Sequence, residues 1–254
     1  MRKISRFFPI GVALTLGAAA VLTQFALAAV KQEARITAVV NDVRLLASHA
    51  AARPASPNDS VQAGTAVRTG GESRAELTYT DQTITRLGAN TVFSFDEGAK
   101  TFDLGSGVIL ISLPPGGAKV NMGVATAAVT GFTGLFERHV RALNKIIAVE
   151  GAIVTSFKNF PLSPIKLHAG QMIVFPSNPV KLPQVYDVDL AKLIKGPLFT
   201  KFKNQLPTWN LVLAAVENQQ AFSPAVILID PTSVDTIDQS INARLPPPAP
   251  KHTP

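Results

Sequence analysis

The sequence predicts an all-β protein that is followed by a small α-helical extension. From about Ile36 to Phe175, short β-prone runs are interrupted after several residues by Gly, Pro, Asn or Asp. Several of these runs alternate between apolar and polar residues, and the pattern becomes helical and proline-punctuated after Pro183. Evenly spaced short strands are typical of sandwiches, barrels and solenoids rather than of βαβ units. We therefore expect a β-solenoid or sandwich-like domain over residues 36–181 and a helical extension over residues 182–245.

The first residues have the pattern of a secretory signal peptide. The basic residues Arg2, Lys3 and Arg6 are followed by the apolar stretch Phe7–Val21. Ala26–Ala28 then resembles a small-residue cleavage site. This pattern predicts a signal peptide over residues 1–28 and a periplasmic or secreted protein. An uncleaved membrane anchor stays open as the alternative, because Phe7–Val30 could just span a bilayer.

The composition excludes several classes of site. The chain of 254 residues has no cysteine, which excludes disulfide scaffolds, thiol nucleophiles and Cys-ligated metals. Its four histidines offer little material for a His-rich metal centre, so no metal or cofactor is expected. Export makes ATP-, GTP- or NAD-dependent chemistry unexpected, and the Gly-rich segments match neither a P-loop nor a dinucleotide fingerprint.

The positive charge is only partly a property of the mature protein. Without the three basic residues of the signal peptide, the formal net charge falls from +7 to +4. The charges then alternate in sign along the chain, as in Glu72, Arg74 and Glu76 and in Asp81 and Arg86. Such alternation favours solvated faces over a phosphate-binding stripe, so no nucleic-acid partner is expected.

Fourteen runs are predicted as strands, in chain order. Where a run alternates, as in Ala75–Tyr79, we expect one face to be buried and the other, with Glu76 and Thr78, to be wet. Ala47–Pro57 is predicted as an exposed loop. The predicted strands are Ile36–Val40, Val61–Arg68, Ala75–Tyr79, Thr83–Leu87, Thr91–Phe95, Thr101–Leu104, Val108–Leu113, Lys119–Met122, Val124–Thr130, Glu137–Arg141, Lys145–Val149, Ile153–Phe157, Ile165–Leu167 and Met172–Phe175.

The C-terminal quarter is predicted to be helical with proline breaks. Asp189 is expected to cap a short helix that extends to Lys195, and Gly196 and Pro197 end it. The further predicted elements are an apolar face over Leu198–Leu206, a helix over Thr208–Gln220, a strand over Val226–Ile229, an amphipathic helix over Val234–Leu245 and a disordered Pro-rich tail over residues 246–254.

The order of short motifs in the β-rich part resembles the FecR domain, the periplasmic signalling domain of iron-dicitrate-type transmembrane regulators. The resemblance covers roughly Ile36–Phe175 and rests on the order of the motifs rather than on any single one. The motifs that carry it are Gly64–Gly70, Ser73–Leu77, Asp81–Thr91, Phe102–Gly107, Val124–Val129, Val149–Gly151 and Leu167–Gln171.

Two positions depart from the family pattern. The usual Asp-Gly turn reads Asp81-Gln82, and the Gly-Thr after the central strand reads Gly131-Phe132. Signalling members also carry a cytoplasmic anti-sigma segment, and only six residues precede the apolar run here, so we expect no sigma-factor binding. The resemblance implies an exported binding or scaffolding domain, and the regulation of iron uptake is not transferred.

Paired carboxylates are the main candidates for catalysis. Asp96 and Glu97 are adjacent and point apart in a strand or loop, so a solvated turn is expected. Asp187 and Asp189 could share a cation, but a helix start is expected because further oxygen ligands do not follow at calcium-loop spacing. His139 and His168 are expected at the strand surface.

A lysine-bearing segment is the candidate contact surface. It contains no acidic residue between Leu190 and Val216. The simpler interpretation is that its apolar residues, Leu213 among them, pack on the β domain while the lysines face water. The sharper hypothesis is that it contacts an anionic membrane surface or a partner's groove. The predicted contact residues are Lys192, Lys195, Lys201, Lys203, Phe199, Phe202 and Trp209.

The sequence thus predicts a non-enzymatic exported protein that acts in binding, scaffolding or envelope signalling, with another envelope protein as its partner. Strand addition at a sheet edge is a second possible mode of contact. The alternative is an exported carbohydrate- or peptidoglycan-active enzyme whose carboxylates converge in the fold. Two acidic side chains facing each other in a cleft would favour that alternative. The oligomeric state is left open.

Overall fold

The computed structural model describes residues 33–48, 50–96 and 100–222. These residues form one sheet of fifteen strands in which all pairings are antiparallel, together with three α-helices. The strands are β1 (Glu33–Val40), β2 (Val43–Leu46), β3 (Arg53–Pro54), β4 (Ser60–Gln62), β5 (Ala66–Thr69), β6 (Arg74–Tyr79), β7 (Ile84–Leu87), β8 (Val92–Asp96), β9 (Thr101–Met122), β10 (Ala125–Arg138), β11 (Asn144–Glu150), β12 (Ala152–Phe157), β13 (Phe160–His168), β14 (Gln171–Phe175) and β15 (Val185–Asp187). The helices are α1 (Leu190–Leu193), α2 (Pro197–Thr200) and α3 (Trp209–Phe222).

The sheet has two parts, called the first and the second stretch below, and the two long strands, β9 and β10, take part in both. The first stretch has the order β15-β14-β11-β10-β9-β7-β6-β1-β4. The second stretch contains β13, β12, the first half of β10, the two ends of β9, and then β8, β5, β2 and β3. Side chains from both stretches are buried in one cluster, for example Leu77 and Ile109 from the first and Phe93 and Val120 from the second. The stretches therefore pack face to face as in a sandwich, which is one of the two predicted architectures.

A bulge bends β9 and β10 between the two stretches. Leu113 pairs with Phe132 and Gly117 pairs with Thr130, so Pro114–Gly116 lie opposite Gly131 alone. Gly131 has a φ of +53°, and a Cβ on it would lie 3.2 Å from the Pro115 Cα. A glycine is needed here because the backbone is left-handed and the neighbouring strand approaches closely.

The buried cluster between the two stretches, called the inner core below, consists mainly of aliphatic and aromatic side chains. The Tyr79 ring makes edge contacts with Phe95 and Phe102, at centroid distances of 5.0 and 5.5 Å. Phe93 stacks on Phe102 at 6.1 Å. These four rings come from β6, β8 and β9, so they tie the two stretches together.

The helices and their connections, residues 190–222, form a cap on the outer face of the first stretch. Sheet residues such as Leu110 and Ile147 are buried there against Leu193, Leu198 and Val212 of the cap. This second buried cluster is called the cap interface below. The cap explains why β7 and most of β11 are buried on both faces.

The predicted all-β class with a helical extension is confirmed, and most predicted strands are found within a few residues. Four details were wrong. The strands predicted over Val124–Thr130 and Glu137–Arg141 are one strand, β10, which continues through residues 131–136 and ends at Arg138. The separate strands predicted over 101–122 are one strand, because the pairing with β10 continues across the bulge. The predicted run Val61–Arg68 is split into β4 and β5 by a turn, and the predicted loop Ala47–Pro57 contains the short strand β3.

Two helix predictions hold with changed bounds: α1 ends at Leu193 rather than at Lys195, and α3 begins at Trp209 and continues to Phe222. Asp189 caps α1, accepting a hydrogen bond from the Lys192 backbone N–H, and Pro197 occupies the first turn of α2. In α3, Val212 and Val216 are buried. Leu213 is 38% exposed, so its predicted packing on the β domain is wrong; it lies next to Val212 but on the outer side of the helix.

The signal peptide, Val226–Ile229, Val234–Leu245 and the Pro-rich tail lie outside the described residues and stay predictions. Among the residues that the structure describes, none belongs to a helix of the length and hydropathy that crossing a bilayer requires.

Candidate functional site

A buried ion pair lies at the centre of the cap interface. Arg86 of β7 and Glu76 of β6 are cross-strand partners, and their side chains are each only 1% exposed. The Arg86 Nε donates to Glu76 Oε2 at 2.8 Å. Burial lowers the pKa of Arg86 and the Glu76 carboxylate opposes this effect. The guanidinium stays charged at neutral pH because the ordinary pKa of arginine is so high.

The same guanidinium binds the main chain of the cap. Its Nη1 donates to the Leu198 carbonyl at 2.9 Å, and its Nη2 donates to the Asn204 carbonyl. The Phe202 ring lies 4.7 Å from the Arg86 Cζ, in a cation–π contact. One side chain of the sheet therefore holds three positions of the cap.

The carboxylate of Glu76 completes the contact from the other side. Its Oε1 accepts hydrogen bonds from the Asn204 Nδ2 at 2.6 Å and from the Thr37 hydroxyl at 2.8 Å. Each charged group is thus compensated by an opposite charge and by neutral partners, as a buried ion pair requires.

These two residues correct the prediction of a wet face. Glu76 and Arg86 were expected in water, and they are buried because the cap covers the outer faces of β6 and β7. Their pairing could have been found from the sequence. Asp81 lies midway between them, and a hairpin turning at Asp81 places opposite charges directly across from each other.

Two further polar contacts attach α3 to the rest of the molecule. Thr208, just before α3, shares a buried hydroxyl cluster with Ser112 of β9 and Thr133 of β10. Near the other end of the helix, the Gln219 side chain accepts from the Leu190 N–H at 3.0 Å and donates to the Val188 carbonyl at 2.6 Å. Both ends of α3 are therefore fixed by directional bonds.

The structure separates the predicted contact residues into two groups. The lysines Lys192, Lys195, Lys201 and Lys203 are exposed. The aromatic residues turn the other way: Phe199 is 8% exposed, and Phe202 and Trp209 are partly buried against the cap interface. Phe199 and Trp209 contact each other at a centroid distance of 6.5 Å. The lysines are thus available at the surface, whereas the aromatic rings anchor the cap.

Among the described residues, Asp96, Asp187 and Asp189 are not gathered with other acids into a group that could hold a metal ion. Asp96 ends β8 and is exposed, and Glu97 lies outside the described residues. Asp189 accepts from the Lys192 N–H at 3.0 Å, as its predicted capping role requires. Over the described ranges, no group of three or more His, Asp or Glu side chains is placed to hold a metal ion. His168 lies exposed at the end of β13, as predicted, and His139 lies exposed just after β10.

The sheet edges are short or contain proline. The outer strands β4 and β15 have three residues each, and β3 has two, one of which is Pro54. The longer edge strand β13 contains Pro161 and Pro164, which cannot donate a backbone hydrogen bond. Such edges disfavour the addition of a partner's strand.

An apolar cavity of about 390 Å³ lies between the sheet and the cap. At its edge, Glu137 binds the buried Lys145 at 2.8 Å and His139 at 2.7 Å. Burial alone would raise the pKa of Glu137, but the charges and hydrogen bonds of Lys145 and His139 hold it below its usual value. The carboxylate therefore serves as a structural counter-ion.

Another cavity, of about 420 Å³, lies where both ends of β9 and the first residues of β10 meet. It is called the polar cavity below because Ser94, Asp103, Asn121, Thr126 and Arg138 line it, together with apolar residues such as Phe93 and Leu104. A third cavity of about 430 Å³ shares Arg138 with it. Asp103 is the one acidic residue that lines the polar cavity, and the apolar cavity also has one, Glu137.

The comparison with known families gives one match within the sandwich. Residues 65–154 match the family described as FecR protein. The match begins just before β5 and ends within β12, so it contains Glu76, Arg86 and the long β9–β10 hairpin. The sequence matches none of the curated proteins.

Two crystal structures described as "a putative anti-sigma factor" from Parabacteroides distasonis ATCC 8503 are similar to this chain. The first has 13% identity and a TM-score of 0.45, and covers 52% of this chain and 64% of its own. The second has 14% identity and a TM-score of 0.45, and covers 70% of this chain and 90% of its own.

Proposed function

Because residues 65–154 of this chain carry a FecR domain, we propose that the protein is an exported, non-enzymatic component of the bacterial cell envelope. It acts in scaffolding or envelope signalling by binding another protein. The FecR match is the observation that carries this proposal. The signal-peptide pattern of residues 1–28 supports export to the periplasm or beyond.

The exposed lysines of the cap are the proposed contact surface. Lys195, Lys201 and Lys203 extend into water from a segment without acidic residues. A partner with an acidic surface is complementary to them, and such complementarity mainly increases the rate and specificity of association. The short, proline-bearing sheet edges favour this side-chain contact over strand addition.

The aromatic residues of the cap favour a protein partner over a membrane. Amphipathic helices bind a bilayer by burying an apolar face in it. Here Phe199 packs into the cap interface and Phe202 covers the Arg86 guanidinium. Insertion of these rings would expose the buried ion pair, so the aromatic residues are not free to enter a bilayer.

The enzymatic alternative lacks a pair of facing carboxylates in the described cavities. Glycosidase chemistry requires two carboxyl groups across a cleft. The polar cavity has Asp103, which accepts from Asn121 at 2.9 Å, and the apolar cavity has Glu137, which is bound by Lys145. Each lines its cavity without a second acid.

The contact surface is tested by site-specific crosslinking in intact envelopes. A photo-crosslinking residue at position 201 is expected to capture one partner protein, and the same residue at position 166, an exposed lysine of β13, is not. The triple variant Lys195→Glu, Lys201→Glu, Lys203→Glu should lose the crosslink from position 192. The matched variant Lys119→Glu, Lys166→Glu, Lys181→Glu reverses three exposed charges of the β domain and should keep it.

Three results would contradict the proposal. Equal crosslinking from positions 201 and 166 would show that the contact is not specific to the cap. Salt-sensitive binding to anionic vesicles, with no protein crosslink, would assign the lysines to a lipid surface. If cell fractionation found the protein in the cytoplasm with residues 1–28 intact, the proposed location in the cell envelope would be wrong.

A further inference from the structure

The polar cavity of the sandwich is built from parts of three strands, β8, β9 and β10, and two turns. Ser94 and Asp103 are cross-strand partners in β8 and β9, and Asn121 and Thr126 are partners in β9 and β10. The Asn121 Nδ2 donates to Asp103 at 2.9 Å, and the Thr126 hydroxyl donates to the Asn121 Oδ1 at 3.2 Å. These contacts connect the polar side chains across neighbouring strands into one wall.

Arg138 is the partly buried cation of this cavity. It lies at the end of β10, and its Nη1 donates to the Leu104 carbonyl at 2.7 Å. Its Nε and Nη2 have no acceptor among residues 33–48, 50–96 and 100–222. A guanidinium held at one nitrogen presents its remaining N–H groups in a fixed plane, which suits a carboxylate.

Gly123 keeps the space beside this guanidinium open. Its φ is +74°, and a Cβ at this position would lie 2.8 Å from the Arg138 Nη2. A side chain here would strain the turn and displace the guanidinium. The left-handed backbone is what requires glycine in the turn between β9 and β10, and the missing side chain leaves room for the Arg138 guanidinium.

The charge of the cavity favours an anion. Arg138 and the exposed Lys158 line it together with a single acid, Asp103. The adjoining third cavity adds Arg141 and no acidic residue. A carboxylate entering beside Arg138 would therefore meet two cations, while the carboxylate of Asp103 is already engaged by Asn121.

We propose that this cavity binds a sugar acid. The carboxylate of the ligand is bound by Arg138 and Lys158. Its hydroxyl groups exchange hydrogen bonds with Ser94, Asn121 and Thr126. The cavity volume of about 420 Å³ falls in the range of small-molecule sites, and a wall of hydroxyl and amide groups suits a polyhydroxylated ligand better than an apolar one.

The binding is tested by NMR titration of the isotope-labelled protein, observing the Arg138 Nε–H and the Asn121 amide. Sodium glucuronate is expected to give saturable shifts of both signals at millimolar concentration. Glucose has the hydroxyls without the charge and should bind at least about tenfold more weakly, since a charge-assisted pair is lost. If glucuronate caused saturable shifts elsewhere in the spectrum but left the Arg138 and Asn121 signals unchanged, the proposed site would be wrong.

Three variants separate charge from geometry. Arg138→Lys keeps the charge, loses the planar fork, and should weaken glucuronate binding about tenfold. Ser94→Ala with Thr126→Ala leaves the Arg138–Leu104 bond intact and should weaken glucuronate while leaving acetate unchanged. Lys119→Gln removes a cation from an exposed position outside the cavity and should leave both affinities unchanged. Thermal unfolding midpoints close to that of the wild type show that each variant is folded.

Other outcomes would overturn the assignment. Tighter binding of inorganic phosphate than of glucuronate would make the cavity a phosphate site. An equal loss in the Lys119→Gln variant would show non-specific attraction to the basic surface. Absence of saturation at any of the concentrations tested would mean that the cavity is only a solvated groove.

Discussion

The inner core and the cap interface bury apolar side chains on opposite faces of the same strands, but they differ in what fixes their geometry. The inner core is filled by aliphatic and aromatic side chains, which attract each other without strong directional preference. The cap interface adds the Glu76–Arg86 pair, the hydroxyl cluster around Thr208 and the side-chain bonds of Gln219. Apolar burial holds the sandwich together, and directional bonds determine where the cap lies on it.

The largest effect is expected in the inner core. Phe102→Ala removes a ring that contacts Tyr79 and Phe93, and we expect a loss of about 4 kcal/mol in the free energy of unfolding. Urea denaturation measures this loss. Leu162→Ala is the control because Leu162 is 94% exposed, and it should change stability by less than about 0.5 kcal/mol. A cost of Phe102→Ala as small as that of the control would show that the inner core does not hold the sandwich together.

The second largest effect is expected at the Glu76–Arg86 ion pair, whose loss should weaken the attachment of the cap to the sandwich. Arg86→Met leaves the Glu76 carboxylate buried without its counter-charge, and we expect a cost of about 3 kcal/mol. Hydrogen exchange should rise in α2 and α3 before it rises in β9 and β10. The double variant Glu76→Leu with Arg86→Met should recover most of the stability, because no unpaired charge remains.

Arg44→Met provides the matched control for this prediction. Arg44 also pairs with an acid, Asp42, but the two side chains are 45% and 53% exposed. Its loss should cost less than about 1 kcal/mol. If hydrogen exchange in Arg86→Met rose uniformly along the chain, the cap and the sandwich would be one cooperative unit.

The third effect depends on pH and concerns Glu137 at the edge of the apolar cavity. Lys145 and His139 hold the pKa of Glu137 below its usual value, against burial. A lowered pKa in the folded state stabilises the protein above the ordinary pKa of a glutamate, and this contribution is lost as the pH falls through the lowered value. Glu137→Gln should therefore cost about 1.5 kcal/mol near neutral pH and nothing in strong acid.

The measurement is a series of urea denaturations from neutral pH downward. Asp42→Asn is the control, since Asp42 is paired only at the exposed surface. A stability difference between the wild type and Glu137→Gln that stays constant down to strong acid would contradict the assigned role of the carboxylate.

The smallest effect is expected at the hydroxyl cluster. Thr208→Val removes the hydroxyl that bonds Ser112 and leaves Ser112 and Thr133 to bond each other. The expected cost is about 1 kcal/mol, with faster exchange at the start of α3. Thr200→Val, at an exposed hydroxyl of α2, should have a smaller effect. If both variants lowered the free energy of unfolding equally, the Thr208 hydroxyl would not contribute to attaching the cap.

The positions of the strands could be predicted from the sequence better than the burial of their side chains could. Alternation and turn residues located β6 and β7, because these signals are local. The burial of Arg86 depends on residues 198–204, more than a hundred positions away, and no local pattern carries that information. The opposite charges of Glu76 and Arg86 around Asp81 are the available signal, but alternating charges are also typical of a solvated face.

The candidate sites show the same limit. The exposure of Lys195, Lys201 and Lys203 follows from their charge and was expected. The inward orientation of Phe199 and the outward one of Leu213 depend on how the cap docks. The polar cavity was missed because Asp103, Asn121 and Arg138 come together only when β9 bends at Pro114–Gly116.

The way Arg86 binds the cap has a consequence for how this protein can change over evolutionary time. Two of its acceptors are the backbone carbonyls of Leu198 and Asn204, which every amino acid possesses. A segment with different outward-facing side chains could dock in the same place if it followed the same path and kept the buried contacts of Asn204 and Phe202. We therefore expect the outer surface of the cap to diversify, and to be exchangeable between related proteins, while the sandwich beneath it is retained.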